Sequence, residues 1–268
     1  MPHLDDIRTE LTQTWDLTAF HKSRLPAMLG ETCDPQALDV PAKLNAKLET
    51  PALENMVIQS SPTEASFYDD GLYIEDMPIK FPQQPYHVPA SVWANFGKAL
   101  TQILKAEKTL NPDWDDCYIY LTIQQSHVAP NTAQRRGGIH VDGFQKASIV
   151  PQTIQHQIAL TNAIPTIFYK KAIEPGKLSD SKKQFFADLH AQCIDAPTFE
   201  PAPYNLHQLN AYCPHQTGVA TKAEYRTFIR LSASKIPFMG QDNTRNPLID
   251  YEWNEDKKKA FYESIAKA

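Results

Sequence analysis

From Cys117 onward, the sequence is dominated by short segments rich in β-branched and aromatic residues. One helical segment, SDSKKQFFADLHAQC, interrupts the series CYIYLTIQQSHV, GIHVDGF, HQIALTNAIPTIFYK, NLHQLNAYCPHQ and RTFIRLSAS. Short strands that recur with turns between them are typical of an antiparallel sandwich or barrel. We therefore expect a mainly β fold with flanking helices.

The part of the chain before Cys117 predicts helices and a few short strands. SVWANFGKALTQILKAEKTL, residues 91–110, is the clearest helix, and Ser91 is its predicted N-cap. The apolar face of this helix contains Trp93, Phe96, Leu100, Ile103 and Leu104. Residues 1–55 indicate helices and loops, and GLYIEDMPIKF, residues 71–81, indicates an early strand.

The chain contains no linker-like stretch that would separate two domains. We expect a single domain over residues 1–268. Its predicted parts are a covering of helices and short strands over 1–110, a β core over 111–236 and a helical tail over 237–268.

Composition excludes several classes of function. The formal net charge of −5 argues against a general nucleic-acid-binding protein. The sequence contains no run of 18 apolar residues and therefore predicts no membrane span. The first residues lack an apolar signal region, so we expect a cytoplasmic protein.

The four cysteines are scattered and form no C-x-x-C pair, which argues against a zinc ribbon. Reduced, packed thiols are favoured over a disulfide framework. Cys213 lies close to His215 in sequence and has the residue type of a nucleophile. A small residue packing on a strand is the favoured interpretation of this cysteine.

The segment GGIHVDGF, residues 137–144, concentrates three glycines in a chain that has only 9. Glycines in such a group suggest backbone in tight quarters or at positive φ. His140 and Asp142 are two positions apart, so they would point to the same face of an extended strand. A His and a carboxylate on one face can bind one metal ion, for which a third ligand must come from elsewhere.

Two histidines on the predicted strand NLHQLNAYCPHQ compete for the role of third ligand. His207 and His215 have the same parity, so strand direction does not distinguish them. His215 is followed by the turn-like QTGVATKAEY and then by RTFIRLSAS, which predicts a hairpin. The spacing from His215 to the arginines of the second strand favours His215 over His207.

Arg226, Phe228, Arg230 and Ser232 alternate along RTFIRLSAS and therefore face one side of the strand. If that side is the barrel interior, two guanidiniums are buried and need partners. The nearby sequence offers no carboxylate on the same face, and a small-molecule carboxylate would satisfy one of them. A solvent-exposed basic edge is the equally weighted alternative.

This ordered set of residues resembles the iron(II)/2-oxoglutarate-dependent oxygenases. The pattern is H-x-D, a His 73 positions after the Asp, an Arg 11 positions later and a second Arg after four more. Its spacing is most similar to the taurine dioxygenase and clavaminate synthase-like branch, whose R-x-x-x-R ending is matched by RTFIR. The resemblance covers residues 117–236 and implies a double-stranded β-helix (jelly-roll, cupin-like) core.

The resemblance implies that His140, Asp142 and His215 bind Fe(II), and that 2-oxoglutarate and O2 occupy the remaining positions. It implies that Arg226 pairs with the distal carboxylate of 2-oxoglutarate. RLS at 230–232 also matches the R-x-S pattern of other branches, which would give that role to Arg230.

A further match to the family is Thr166 in IPTIFY, which resembles a Thr that helps to hold the co-substrate carboxylate. The implied reaction is hydroxylation or desaturation of an unactivated C–H bond, with release of succinate and CO2. Asp142 favours these outcomes over halogenation, because halogenating relatives have a Gly or Ala at this position. The alternatives are a cupin-like metal enzyme that does not use 2-oxoglutarate and a non-catalytic binding domain on the same barrel.

The substrate is expected to be a small molecule, and an anionic or amino-acid-like one is considered. Arg135 and Arg136 precede the H-x-D segment and have the charge to clamp an anionic substrate. A solvated loop is the favoured interpretation of these two arginines. No nucleic-acid or membrane partner is expected.

Overall fold

The fold is known from a computed structural model of the chain. The residues whose structure it describes are 27–37, 72–135, 137–142, 156–171, 173–174, 177–179, 182–210, 213–235, 237 and 243–251. Several parts of the sequence prediction lie outside these residues. They are most of residues 1–71 of the predicted covering, Arg136, Gly143 and the tail from residue 252 onward.

The described residues form nine strands and two α-helices, with short 3-10 turns at Pro35–Ala37 and Trp114–Asp116. In chain order the elements are β1 (Ala27–Thr32), β2 (Leu72–Lys80), α1 (Ala90–Leu110), β3 (Tyr118–Val128), β4 (His156–Thr161), β5 (Ile167–Tyr169), α2 (Lys182–Cys193), β6 (Thr198–Phe199), β7 (Asn205–Leu209), β8 (His215–Gln216) and β9 (Glu224–Ser234).

The strands form two antiparallel sheets. The larger sheet has the order β1-β7-β4-β9-β3-β2, and the smaller has the order β6-β5-β8. All of the strand pairs are antiparallel. The expectation of a mainly β fold with flanking helices is therefore confirmed.

One face of the larger sheet packs against α1. On β9, Ile229, Leu231 and Ala233 alternate with the polar residues and join the same buried cluster as Phe96 and Leu100 of α1. Each fully buried aliphatic or aromatic side chain of this kind contributes roughly 1.5–3 kcal/mol. This packing covers one side of the sheet and leaves its opposite face directed toward the smaller sheet.

The opposite face of the larger sheet and the inner face of the smaller sheet share a second apolar cluster. It contains Phe168 of the smaller sheet together with Ala159, Leu209 and Phe228 of the larger one. The polar residues of β9 lie on the same face as Phe228, since side chains alternate along a strand. The sequence left open whether the two arginines of β9 face the interior or solvent, and both are buried, Arg226 at 2 % and Arg230 at 5 % exposure.

The predicted helix over 91–110 is confirmed, but its predicted cap is wrong. The helix begins at Ala90 after Pro89, which has φ of −54° and no side-chain capping bond, so Ser91 lies within the first turn. Proline already fixes the φ that suits a helix start, which makes a serine cap unnecessary. Trp93 is also not a core residue: it is 37 % exposed and stacks on Tyr86.

Two predicted strands are each split between the sheets. HQIALTNAIPTIFYK becomes β4 and β5, separated by a corner where Ile164 has φ of 47° before Pro165. NLHQLNAYCPHQ becomes β7 and β8, so His207 and His215 lie in different sheets. The predicted hairpin is likewise wrong, because β8 pairs with β5 while β9 pairs with β3 and β4.

An irregularity in β2 places two acids on the inner face of the larger sheet. The register between β2 and β3 shifts between Ile74 and Met77, so that Glu75 and Asp76 occupy a bulge. Asp76 has φ of 41°, and its backbone N–H donates to Thr122 Oγ1 at 3.1 Å. The bulge directs both carboxylates toward the face that carries Arg230.

All four cysteines are buried and free, which confirms the prediction of reduced, packed thiols. Burial raises the pKa of each thiol to about 11, so Cys213 is protonated at neutral pH and is not an activated nucleophile. Neither described helix has the length and apolar character needed to cross a membrane.

Candidate metal centre

The backbone brings His140 and His215 side by side. They form an isolated antiparallel bridge in which each N–H donates to the carbonyl of the other at 2.9 Å. Their ring centroids are 4.4 Å apart. The segment GIHVDGF is therefore not a regular strand in its described part, and the single bridge at His140 extends the smaller sheet beyond β8.

Asp142 completes a three-residue cluster with these histidines. One potential ligand atom from each residue lies within 4.8 Å of the other two. Asp142 Oδ1 is 3.8 Å from His215 Nε2, and both residues are buried. The convergence on which the sequence prediction depends is present, although the residues come from segments 73 positions apart.

Hydrogen bonds to the backbone fix the tautomer of both imidazoles. His140 Nδ1 lies 2.9 Å from the carbonyl oxygen of Gly138, and His215 Nδ1 lies 2.8 Å from that of Cys213. A carbonyl can only accept, so each Nδ1 carries a proton, and Nε2 is the nitrogen of each ring that is left for a metal. Such outer partners orient metal-binding histidines. Gly138 has φ of +110°, which explains one glycine of the motif, since L side chains rarely adopt this conformation.

The electrostatics of the cluster give Asp142 and His215 the protonation states that metal binding requires. Burial opposes the charge of Asp142, but Arg230, then His215 and His140, lower its pKa below the usual value. Burial, followed by the neighbouring His140, lowers the pKa of His215 to about 4. At neutral pH the carboxylate is therefore ionised and the His215 imidazole is neutral.

Arg230 lies behind the carboxylate of Asp142. Its Nη1 is 3.4 Å from Asp142 Oδ2, its Nη2 is 3.0 Å from Asp76 Oδ1, and Glu75 Oε1 is 3.9 Å away. Burial alone would lower the pKa of Arg230, but the three carboxylates raise it above the usual value. Because Arg230 holds Oδ2, Asp142 has Oδ1 directed toward the histidines.

The two acids that pair with Arg230 were missed by the sequence analysis. The available signal was an adjacent acid pair, Glu75 and Asp76, inside the otherwise apolar strand LYIEDMPIK. Burial raises the pKa of Asp76, and Arg230 opposes this rise. We assign an ionised Asp76 because its Oδ1 lies at 3.0 Å from the guanidinium.

Arg226 has a different environment from Arg230. Its Nε donates to the backbone carbonyls of Ala163 and Ile164 at 3.2 and 2.9 Å, and Nη1 donates to the side-chain oxygen of Gln134. Burial, followed by Arg135, lowers the pKa of Arg226 to about 9, which still leaves it charged at neutral pH. Within the described part of the chain, Arg226 has no carboxylate partner.

Three other candidate residues are not part of the cluster. Arg135 pairs with Glu75 Oε1 at 3.0 Å, so it is not a free clamp for an anion. His207 is separated from His215 by the ring of Phe168, whose centroid lies 5.9 Å from His207 and 5.5 Å from His215. Thr166 is half-buried directly before β5, and its predicted role stays a prediction.

Two imidazoles and one carboxylate around a common point suit a divalent first-row metal such as Fe(II), with positions left open for other ligands. The fixed tautomers and the ionised carboxylate are specific properties of these residues that fit this group. His140, Asp142 and His215 would hold it.

Neither a protein-family model nor a curated protein sequence matches the chain. Among solved structures, it is similar to an oxidoreductase of the 2OG-Fe(II) oxygenase family from Burkholderia pseudomallei (TM-score 0.37, 10% identity, 65% of this chain and 72% of that chain). It is also similar to the non-heme alpha ketoglutarate dependent epimerase SnoN from nogalamycin biosynthesis (TM-score 0.35, 13% identity, 84% and 82%). A third is AviO1 from Streptomyces viridochromogenes Tue57 (TM-score 0.35, 12% identity, 63% and 75%). Similarity at this level leaves function to be derived from the site itself.

Proposed function

We propose that the chain is a non-haem Fe(II)/2-oxoglutarate-dependent dioxygenase that hydroxylates or desaturates an unactivated C–H bond of a small molecule. The observation that carries this proposal is the convergence of His140, Asp142 and His215, each of which offers one potential ligand atom within 4.8 Å of the other two. When bound, Fe(II) with 2-oxoglutarate and O2 would supply the oxidant, and succinate and CO2 would be released.

The chain's own residues hold the metal ligands in a single arrangement. The backbone bridge fixes the two histidines relative to each other, and Arg230 fixes one oxygen of Asp142. Asp142 also supports the choice of reaction, since a carboxylate at this position occupies the place that a halide would need.

Arg226 is the residue that we assign to the distal carboxylate of 2-oxoglutarate. A buried guanidinium without an acid partner is costly, and a ligand carboxylate removes that cost through charge-assisted hydrogen bonds. Ala163, Ile164 and Gln134 occupy Nε and Nη1, so these contacts fix the orientation of the group. Arg230 is the weaker candidate because Asp76 and Asp142 already neutralise it.

The order in which the chain crosses between the sheets supports a double-stranded β-helix core. The chain runs from β3 in the larger sheet to the bridge at His140, back to β4, then to β5 and β6. It returns to β7, crosses to β8 beside His140 and ends in β9. The two histidines thus lie on the side of the smaller sheet and both arginines on the facing sheet, which supports a co-substrate site between the sheets.

Apolar side chains between the sheets exclude water from this space. The ring of Phe168 packs 5.5 Å from the ring of His215, and Phe228 belongs to the same cluster. The guanidinium of Arg226 lies 5.0 Å from the Phe228 ring. Low access of water strengthens the electrostatic interactions on which co-substrate orientation depends.

The test is anaerobic addition of Fe(II) and 2-oxoglutarate to the full chain, followed by visible absorption spectroscopy. We expect the weak charge-transfer band of 2-oxoglutarate chelated to Fe(II). His215→Ala should abolish the band, whereas His190→Ala, which changes an exposed histidine of α2, should retain it. A well-folded wild-type protein without the band would refute the proposal.

The pattern of failure would identify which alternative is correct. Stoichiometric metal binding through the triad without the band would favour a cupin-like metal enzyme that does not use 2-oxoglutarate. Equal metal content in the wild type and in His140→Ala and His215→Ala would favour a non-catalytic binding domain. If the band is present, formation of succinate that depends on O2 would establish turnover.

A further inference from the structure

A cavity of about 320 Å³ opens where β2 begins and β3 approaches its end. This volume is at the lower end of the range for small-molecule sites. Its lining is mostly polar and contains no Asp, Glu, Lys or Arg: among the described residues it consists of Leu72, Tyr73, Gln124, Gln125, Ser126, His127 and Gln134. Such a lining selects for hydrogen-bonding capacity and not for charge.

The cavity is connected to both halves of the proposed active site. Gln124 Nε2 donates to Glu75 Oε2 at 3.0 Å, and Glu75 is the neighbour of Asp76 in the bulge that holds Arg230. Gln134 accepts a hydrogen bond from Arg226. A molecule in the cavity therefore lies against Gln124, which bonds to the acid bulge beside Arg230, and against Gln134, which bonds to Arg226.

Gln124 presents an acceptor that nothing in the described structure satisfies. The residue is 2 % exposed, and its Oε1 is buried without a hydrogen-bond partner. The amide cannot turn over, because Nε2 must face the carboxylate of Glu75. A buried acceptor without a donor destabilises the protein, so this atom is suited to receive an N–H or O–H group from a ligand.

Among the described residues, the acidic and the basic side chains around the site are equal in number. The described carboxyl and guanidinium side chains there belong to Glu75, Asp76, Asp142, Arg135, Arg226 and Arg230. Three carboxylates thus face three guanidiniums, and a divalent metal with dianionic 2-oxoglutarate adds equal and opposite charges. An anionic substrate would introduce an unpaired charge into a buried site, which is costly.

A cationic substrate is disfavoured for a related reason. Both oxygens of Glu75 already accept hydrogen bonds from Arg135, and Oε2 also accepts one from Gln124. The carboxylate that an ammonium group would approach is therefore occupied.

We propose that this cavity is the substrate subsite and that it takes an uncharged, hydroxyl- or amide-bearing molecule whose O–H or N–H group donates to Gln124 Oε1. The inference rests on the proposed function, and it differs from the anionic substrate that was considered for Arg135 and Arg136.

The experiment compares three probes that share one ring and differ in charge: methyl glucoside, glucuronate and glucosamine. Binding to the full chain loaded with Mn(II) and 2-oxoglutarate is measured by ligand-observed NMR. We expect the uncharged glucoside to bind at least about tenfold more tightly than either charged probe, since one unsatisfied buried group is worth about that factor. Tighter binding of glucuronate or glucosamine, or no binding of the glucoside, would overturn the proposal.

Gln124→Leu should lower the affinity for the glucoside by about tenfold, the loss of one hydrogen bond. Gln208→Leu makes the same chemical change on β7, away from the cavity, and should leave that affinity unchanged. The charge-transfer band with Fe(II) and 2-oxoglutarate is recorded on each variant. A missing band in the wild type would refute the proposed function, whereas a normal band without probe discrimination would refute only the subsite.

Discussion

The ion pair between Asp76 and Arg230 predicts a large and specific effect of Asp76→Asn. Both side chains are buried, and their charged atoms are 3.0 Å apart. Asparagine keeps the size of aspartate, can accept the hydrogen bond from Thr122, and tolerates the φ of 41° at this position. The substitution therefore removes one charge with little change in shape or backbone strain.

The size of the expected loss of stability depends on the carboxylate partners that Arg230 keeps in the variant. Removing one partner of a buried ion pair costs about 3–5 kcal/mol, because the remaining charge is left uncompensated. Arg230 still has Asp142 at 3.4 Å and Glu75 at 3.9 Å, so we expect the lower end of that range, about 3 kcal/mol of unfolding free energy. Mn(II) affinity should also fall, since the guanidinium would then act on Asp142 without competition from Asp76.

Urea unfolding at neutral pH measures the first effect, and Glu75→Gln is the matched comparison. Glu75 pairs with Arg135, whose side chain is 35% exposed. Because water can solvate the guanidinium left without its partner, Glu75→Gln should lower the free energy of unfolding by about 1 kcal/mol or less. A loss below about 1 kcal/mol for Asp76→Asn would refute the reasoning, because it would mean that Asp76 is protonated in the folded protein.

Three further predictions concern other parts of the site. Arg226→Gln should weaken 2-oxoglutarate binding by about 10- to 100-fold, as expected for charged hydrogen bonds, in a titration of the charge-transfer band; an unchanged titration would exclude Arg226 from this role. Burial lowers the pKa of His207 from 6.5 to about 4, so between these values the unfolded chain binds more protons than the folded one. The contribution of His207 to the free energy of unfolding should therefore fall by about 3 kcal/mol as the pH drops from 6.5 to 4. His207→Gln should remove this part of the pH dependence, as measured by urea unfolding at pH 7 and pH 4. An equal pH dependence in the variant would contradict the assignment. Gly218→Ala places a methyl group against the carbonyl oxygen of Pro165. We expect the free energy of unfolding to fall by about 1–3 kcal/mol and Mn(II) to bind more weakly because β8 is displaced. Wild-type values of both quantities would contradict this.

Local patterns in the sequence predicted the elements whose side chains repeat regularly. The apolar face of α1 and the alternation along β3 and β9 are visible in single segments, and all three elements lie close to their predicted bounds. The alternation also placed Arg226 and Arg230 on one face, and the structure decided that this face is buried. Periodicity carries no information about where a chain turns a corner, which is why β4 and β5 were merged into one strand, and β7 and β8 into another.

The sequence by itself determined the residue types of the candidate centre and their order along the chain, because His140, Asp142, His215 and the two arginines stand at informative spacings. Only the tertiary structure decided which groups meet. The bulge in β2 brings Asp76 to Arg230 from 154 positions away. That pairing leaves Arg226 as the guanidinium without an acid partner among the described residues. Pairing of buried charges depends on distances of a few ångströms across strands, and such distances are set by the register of the sheets and not by the local sequence.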